Sequence, residues 1–303
     1  MSTRGADVGD PVEAAASRTL LPELAKFPGH LVWRAHARVS VALAEVLPPD
    51  VDIHAYAVLL ALAGGVTRSQ QALADTVSVS RTTMVKVAAD LSAQGLVRRV
   101  RNPDDRRSYA LTRTPEGAAA ARRWRRHAEA LEDSITAGFS LADREELRGL
   151  LLRVVEPELA ADTPEPLRES IGFLLTRTHF RMHRDFMAAL APLGIEPRHF
   201  GSLIALTAAG PVPQAELARS LGLSGASVVQ MVDHLEHRGL VERRRLETDR
   251  RTQVLHLMPG AAEVLDRARD LAATTFDARL GALSRRETLR LTTLLTRLVT
   301  QAP

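Results

Sequence analysis

One segment of this chain is written twice. Leu73–Pro115 aligns without a gap on Leu217–Pro259, at a constant offset of 144 residues. The identities fall where a fold is constrained: Leu73/Leu217, Ala74/Ala218, Ser80/Ser224, Leu91/Leu235, Gly95-Leu96-Val97 over Gly239-Leu240-Val241, and Asp105-Arg106-Arg107 over Asp249-Arg250-Arg251. A self-similarity of this kind marks a duplicated module, so any fold proposed for one half must serve the other. At 303 residues there is room for two domains of about 140 residues, each large enough for its own core. The expected division is a disordered tail over 1–18, a first domain over 19–161 and a second over 162–303.

Composition excludes several kinds of chemistry. The chain has no cysteine, which rules out disulfides, thiolate catalysis, Cys-based zinc sites and thiol redox sensing. No apolar run has the length of a signal peptide or a membrane span, so a cytoplasmic protein with no membrane association is expected. The net charge of +4 is modest, but the arginines are clustered, and clustering matters more than the total. No nucleophile is paired with a base and no phosphate-binding glycine motif is present, so neither catalytic residues nor enzyme activity is expected. His179 and His183 sit four apart on one helix, with His199 in the next, a spacing that zinc can use, but they lack accompanying carboxylates, and no metal or cofactor is assigned.

Apolar residues recur at helical spacing through most of each copy, giving a mainly α (α+β) fold. In the first copy the pattern predicts a long helix over 29–47, a helix capped by Asp52, a short one capped by Ser69 and another capped by Ser80 that stops at Gly95. The period then changes. Residues 97–101 and 108–113 flank Asn102-Pro103-Asp104-Asp105, a turn signal, and read as a hairpin. Pro115 opens a further long helix, and Asp143 with Glu146 suggests a capping box for the last one. The second copy repeats the order from a helix over 166–190 to a final helix with its capping box at Ser284 and Glu287. The Pro-rich junction over 156–166 is expected to be a tight connection.

Two helices joined by a short turn and followed by a basic hairpin describe a winged helix-turn-helix, whose second helix enters the DNA major groove. In the first copy that helix buries Met84, Val87, Ala88 and Leu91, and in the second Val228, Met231, Val232 and Leu235. The opposite face offers Arg81, Thr82, Thr83, Val85 and Lys86 in one copy and Ser227, Val229 and Gln230 in the other. Arg and Lys donate to guanine, Gln pairs with adenine, and an exposed valine suits the thymine methyl. Ser80, Ser224, Arg99, Arg101, Arg243 and Arg245 are candidate phosphate contacts. Arg106, Arg107, Arg250 and Arg251 complete the two wing clusters, whose closely packed like charges call for a polyanion, either the phosphate backbone or a narrow minor groove.

On these residues each copy resembles the MarR family of transcription regulators. The resemblance is carried by Leu91–Val97 (LSAQGLV), Pro103–Arg107 (PDDRR) and Thr114-Pro115-Glu116-Gly117, and by Leu235–Val241 (LEHRGLV) with Asp249-Arg250-Arg251. The second copy departs at Met258 and Ala261, where the first has Thr114 and Gly117. The resemblance implies double-stranded DNA as partner, with Arg107 and Arg251 most directly in the minor groove. It also implies dimerisation through the first and last helices, here between the two copies of one chain: a pseudo-dimer, alone or as a homodimer. A small-molecule effector is implied too, with Trp33, His36, His54, Tyr56, Arg177, Phe180, His199 and Phe200 as candidate lining. The expected function is a sequence-specific, ligand-responsive repressor acting on an imperfect inverted repeat, since Arg81/Gly225, Thr82/Ala226 and Lys86/Gln230 differ between copies. The alternative is a small-molecule-binding or protein-interaction scaffold whose second domain no longer binds DNA well.

Overall fold

The computed structural model of the protein describes residues 20–102, 108–246 and 249–301. Ala42–Arg177 packs as one compact unit, the first unit. The described residues up to Val41 pack with those from Thr178 onward as the second unit. The unit boundaries fall inside the long opening helix of each copy, at 41/42 and 177/178.

Those helices are α2 (Pro28–Val46), which follows the short α1 (Pro22–Ala25), and α9 (Ile171–Leu190). In the first unit α3 (Ile53–Ala61), α4 (Gln70–Val77) and α5 (Arg81–Ala93) precede strands β2 (Val97–Arg101) and β3 (Tyr109–Arg113). Then come α6 (Pro115–Ile135), α7 (Leu141–Val155) and the short α8 (Glu165–Arg168). A two-residue strand, β1 (Thr67–Arg68), completes an antiparallel sheet of order β1-β3-β2. The second unit repeats the plan with α10 (Pro197–Ala209), β4 (Val212–Pro213), α11 (Gln214–Leu221), α12 (Gly225–His237), β5 (Val241–Leu246), β6 (Asp249–Leu257), α13 (Gly260–Leu280) and α14 (Arg285–Thr300). Its sheet order is β4-β6-β5. The strands β1 and β4 carry no alternation that a sequence pattern could detect; they exist because β3 and β6 offer a free edge.

Local chemistry sets the helix starts. Asp52 accepts from the backbone N–H of His54 at 2.7 Å, Ser69 from Ala72 at 3.2 Å, and Ser80 from Thr83 at 3.0 Å. Each satisfies a donor that the first turn leaves without a helical partner. Gly95 and Gly239, with φ of 69° and 66°, end α5 and α12 in the left-handed conformation and turn the chain into the wing. The capping box at Ser284 and Glu287 is present. The start of α7 differs from expectation: Ser140 caps it, accepting from the N–H of Asp143 at 3.1 Å, because a hydroxyl one turn earlier already satisfies that donor. The helix expected over 166–190 is broken between α8 and α9. There the Glu132 carboxylate accepts from the N–H groups of Ile171 at 2.9 Å and Gly172 at 3.1 Å, capping a fresh helix start.

The core of the first unit gathers Leu73, Met84, Leu91, Val97, Leu111, Trp124 and Leu167. The second unit buries the corresponding Leu217, Val228, Leu235, Val241 and Leu255. Among the described residues no helix is long and apolar enough to cross a membrane.

Candidate nucleic-acid interface

The candidate recognition helices are α5 and α12. Their inner rows behave as the spacing predicts: Met84, Val87, Ala88 and Leu91, and Val228, Met231, Val232 and Leu235, are all buried. That burial fixes the rotation of each helix and leaves the opposite row facing solvent. Val85 is 56% exposed and Val229 42%, so neither valine is part of a core. Arg81, Thr82, Lys86 and Gln230 are also exposed, while Thr83 and Ser227 are half-buried beside the capping hydroxyls of Ser80 and Ser224. Arg81 donates through Nε to Gln71 Oε1 at 2.6 Å, which ties its stem to α4 and aims the guanidinium.

The wing roots differ between the copies. In the first, Arg99 and Arg101 each lie 4.8 Å from the centroid of the Tyr109 ring and remain exposed. In the second, the residue matching Tyr109 is Gln253, and the root arginine turns inward. Arg243 pairs with Asp233 at 2.6 Å and with Glu236, and donates to Gln214 at 3.3 Å; its side chain is 18% exposed. The expectation that Arg243 contacts phosphate therefore meets a competing internal network, which arises because Asp233 stands where the first copy has Ala89. Arg244 pairs with Glu242 at 2.8 Å, and Arg245 is exposed. Arg106 and Arg107 lie outside the described residues. Arg250 and Arg251 belong to β6, and their side chains are likewise outside what is described.

The eight candidate effector residues are distributed over both units. A cavity of about 120 Å³ in the second unit is lined by Trp33 and Phe200, with Phe27, His30, His179, His183, Phe186 and Phe276. His36 stands next to that wall, its ring 4.4 Å from His179, and half-exposed Phe180 lies 5.5 Å from His36. His199 is buried outside the cavity: its Nδ1 accepts from the N–H of Glu196 at 3.0 Å, and its ring stacks on His234 at 4.3 Å. His54, Tyr56 and Arg177 belong to the first unit. Tyr56 is core, His54 opens α3, and Arg177 reaches beneath the turn between α4 and α5. Among the described residues no group of three or more His, Asp or Glu side chains could hold a metal ion.

Two relationships escape a reading based on the winged segment alone. The offset of 144 continues through α6 and α13 to the capping serines Ser140 and Ser284, which makes Glu132 the counterpart of Phe276. In the opening helices the offset is 143: Leu31/Leu174, Arg34/Arg177, His36/His179 and Arg38/Arg181. This second register, one residue out of step, makes Arg177 the counterpart of Arg34, and it is the hydrogen bonds of Arg177 to Asp75, Ser78 and Glu158 that make it a structural arginine.

A model described as MarR family matches residues 50–108 and 193–252, one stretch in each copy. A protein assigned as the transcriptional regulatory protein for the hcr operon of Thauera aromatica is 36% identical over 137 residues, 45% of this chain and 78% of that protein. The HTH-type transcriptional repressor NicR of Pseudomonas putida is 27% identical over 138 residues, covering 46% of this chain and 87% of the repressor. Among solved structures, the transcriptional repressor CouR bound to a 23-mer DNA duplex is 37% identical over 40% of this chain and 86% of its own, with a TM-score of 0.38. With a winged helix in each copy and this family matched twice, the chain belongs to the MarR family of transcription regulators.

Proposed function

We propose that the protein is a sequence-specific double-stranded DNA-binding repressor, acting in the cytoplasm as a single-chain pseudo-dimer on an imperfect inverted repeat and released by a small molecule. One observation carries the reading. Each copy presents a capped helix whose inner row is buried and whose outer row, including a solvent-exposed valine, faces away from the core beside an arginine-bearing hairpin. Similarity to NicR, a transcriptional repressor, supports the sign of regulation. The pseudo-dimer is supported by the duplication and by the contribution of both opening helices to both compact units. Tethering makes engagement of the second half-site intramolecular, at an effective concentration on the order of millimolar for a short connection.

The half-sites are unequal in this reading. Arg81 and Lys86 suit guanine, whereas Gln230 suits adenine and Gly225-Ala226 offer no long polar side chain, so the first copy reads the more G-rich half, with half-sites about one helical turn apart. The internal network around Arg243 favours a second reading, in which the second copy grips DNA weakly and the chain serves as a ligand-binding scaffold. A mobility-shift titration against the DNA upstream of the chain's own gene, at two salt concentrations, decides between them. A regulator gives specific binding that weakens steeply with salt. A scaffold gives none, and that result would end the repressor reading.

A further inference from the structure

We propose that each chain holds a single small-molecule site, the aromatic cavity of the second unit, and that its ligand is an uncharged single-ring aromatic compound bearing one hydrogen-bonding group. The inference rests on the ligand-responsive reading above and adds to it the number of sites and the class of ligand.

The class follows from the walls. Phe27 and Phe186 each meet the Phe200 ring edge-on, at 5.0 and 5.4 Å, and Phe186 lies 5.0 Å from Phe276. Trp33 adds a further ring to the lining of the cavity, about 120 Å³ in volume. Cavities of roughly this size in protein cores accept a benzene-sized guest. No charge is left unmatched in the lining: Arg198 is paired with Glu196 at 2.8 Å. An anionic ligand would lose its hydration without gaining an unengaged cation, which is strongly unfavourable in an apolar site. One polar atom does lack a partner. His30 Nε2 is buried with no hydrogen bond, and His30 lines the cavity. Burial, reinforced by the charge of Arg34, holds its pKa at about 3, so it meets a ligand as a neutral imidazole. It suits a hydroxyl, carbonyl or amide on the ring.

The number of sites follows from the duplication. At the matching positions of the first unit, Phe27 becomes Ser170, Trp33 becomes Thr176, Phe186 becomes Leu43 and Phe276 becomes Glu132. The equivalence is structural as well as numerical. A Cβ on Gly29 would stand 2.3 Å from the Phe276 ring, and the N–H of Gly172, the counterpart of Gly29, donates to Glu132 at 3.1 Å. Where the second unit has the Phe276 ring, the first has a carboxylate already committed to Ser170, Ile171 and Gly172. An apolar ring placed there would have to strip a buried carboxylate of its donors.

The test uses the full-length chain titrated with benzamide, benzoate and cyclohexanecarboxamide, with heat and Trp33 fluorescence as readouts. Benzamide is expected to bind one molecule per chain, at least tenfold more tightly than either of the others. Phe276→Glu is expected to abolish that binding, with folding checked by circular dichroism. If that variant does not fold, Trp33→Thr, which also installs the other copy's residue, carries the same expectation by heat alone. Two molecules per chain, benzoate binding as tightly as benzamide, no benzamide binding at the solubility limit, or unchanged affinity in the folded variant would each overturn the inference. Mobility shift separates this from the parent reading. Benzamide bound one-to-one without change in DNA affinity removes the effector role and leaves the site; DNA release by an anion instead removes the ligand class and leaves the effector role.

Discussion

Arg177 donates a hydrogen bond to the hydroxyl of Ser78, the residue that turns α4 into α5 with a φ of 58°. The same guanidinium donates to the carbonyl oxygens of Asp75 at 3.0 Å and Glu158 at 2.6 Å, and the residue is 5% exposed. A buried fork therefore holds the helix-turn-helix turn to α9. Arg177→Met would leave three acceptors without this donor, and a loss of about 2–4 kcal/mol is expected from the urea midpoint. Arg177→Lys should recover less than half, because an ammonium cannot reach several acceptors set by a planar fork.

The caps of the recognition helices are accessible to a smaller test. Ser80 accepts from the N–H of Thr83 at 3.0 Å, and Ser224 from that of Ser227 at 3.1 Å. Replacing either by alanine should cost about 1 kcal/mol in urea denaturation. On the proposed function DNA affinity should also fall, since the first turn carries the side chains proposed to read bases.

Arg243 offers a test of how strongly the second wing grips DNA. Combining Asp233→Asn with Glu236→Gln releases the guanidinium from its two acids. The plot of log affinity against log salt should steepen by about 0.9, one added phosphate contact. An unchanged slope would mean that Arg243 has no phosphate within reach. Arg107→Ala and Arg251→Ala should act in the opposite direction, each making the slope shallower by a similar amount.

Unequal reading heads predict unequal mutational effects on one operator. Arg81→Ala and Lys86→Ala should each weaken binding by about 1–3 kcal/mol and relax selectivity in the G-rich half alone. Gln230→Ala should relax the other half. Footprints showing a symmetric site, equally damaged by both sets of changes, would contradict the assignment.

The buried histidines set the acid response. Burial holds His30 and His199 at about 3 and His36 at about 4, against an ordinary 6.5. Between those values and 6.5 the unfolded chain binds protons that the folded chain refuses. Stability is therefore complete above pH 6.5 and falls as the pH drops below it, by at most about 1.4 kcal/mol per pH unit for each histidine. Glu132 works in the opposite sense: burial pushes its carboxyl up, so its contribution is lost as the pH rises through that raised value. Urea midpoints at pH 7.5, 6.5 and 5.5 on a Glu132→Gln background isolate the histidine effect. A flat or rising stability toward acid would refute it.

The recognition helices were legible because their two faces differ in kind: a buried apolar row at i, i+3, i+4 and i+7 imposes a period that the sequence must display. Caps at Ser69, Ser80, Ser224 and Ser284 were legible for a related reason, since few side chains satisfy a first-turn N–H. What stayed hidden depends on distant partners. Arg177 reads as cavity lining until Ser78, Asp75 and Glu158 are seen around it. The inward turn of Arg243 depends on Asp233 and Glu236, which look like ordinary solvent-facing acids on a helix. The cavity needed Phe27 and Phe276, residues nearly the whole chain apart, and no local pattern links them.

In an assembly of two identical subunits, every substitution is made twice. Here position 132 and position 276 are separate codons, and glutamate could settle in one while phenylalanine settled in the other. Joining the two copies in one chain releases them from the obligation to match, so that the proposed task of sensing can fall to one half alone.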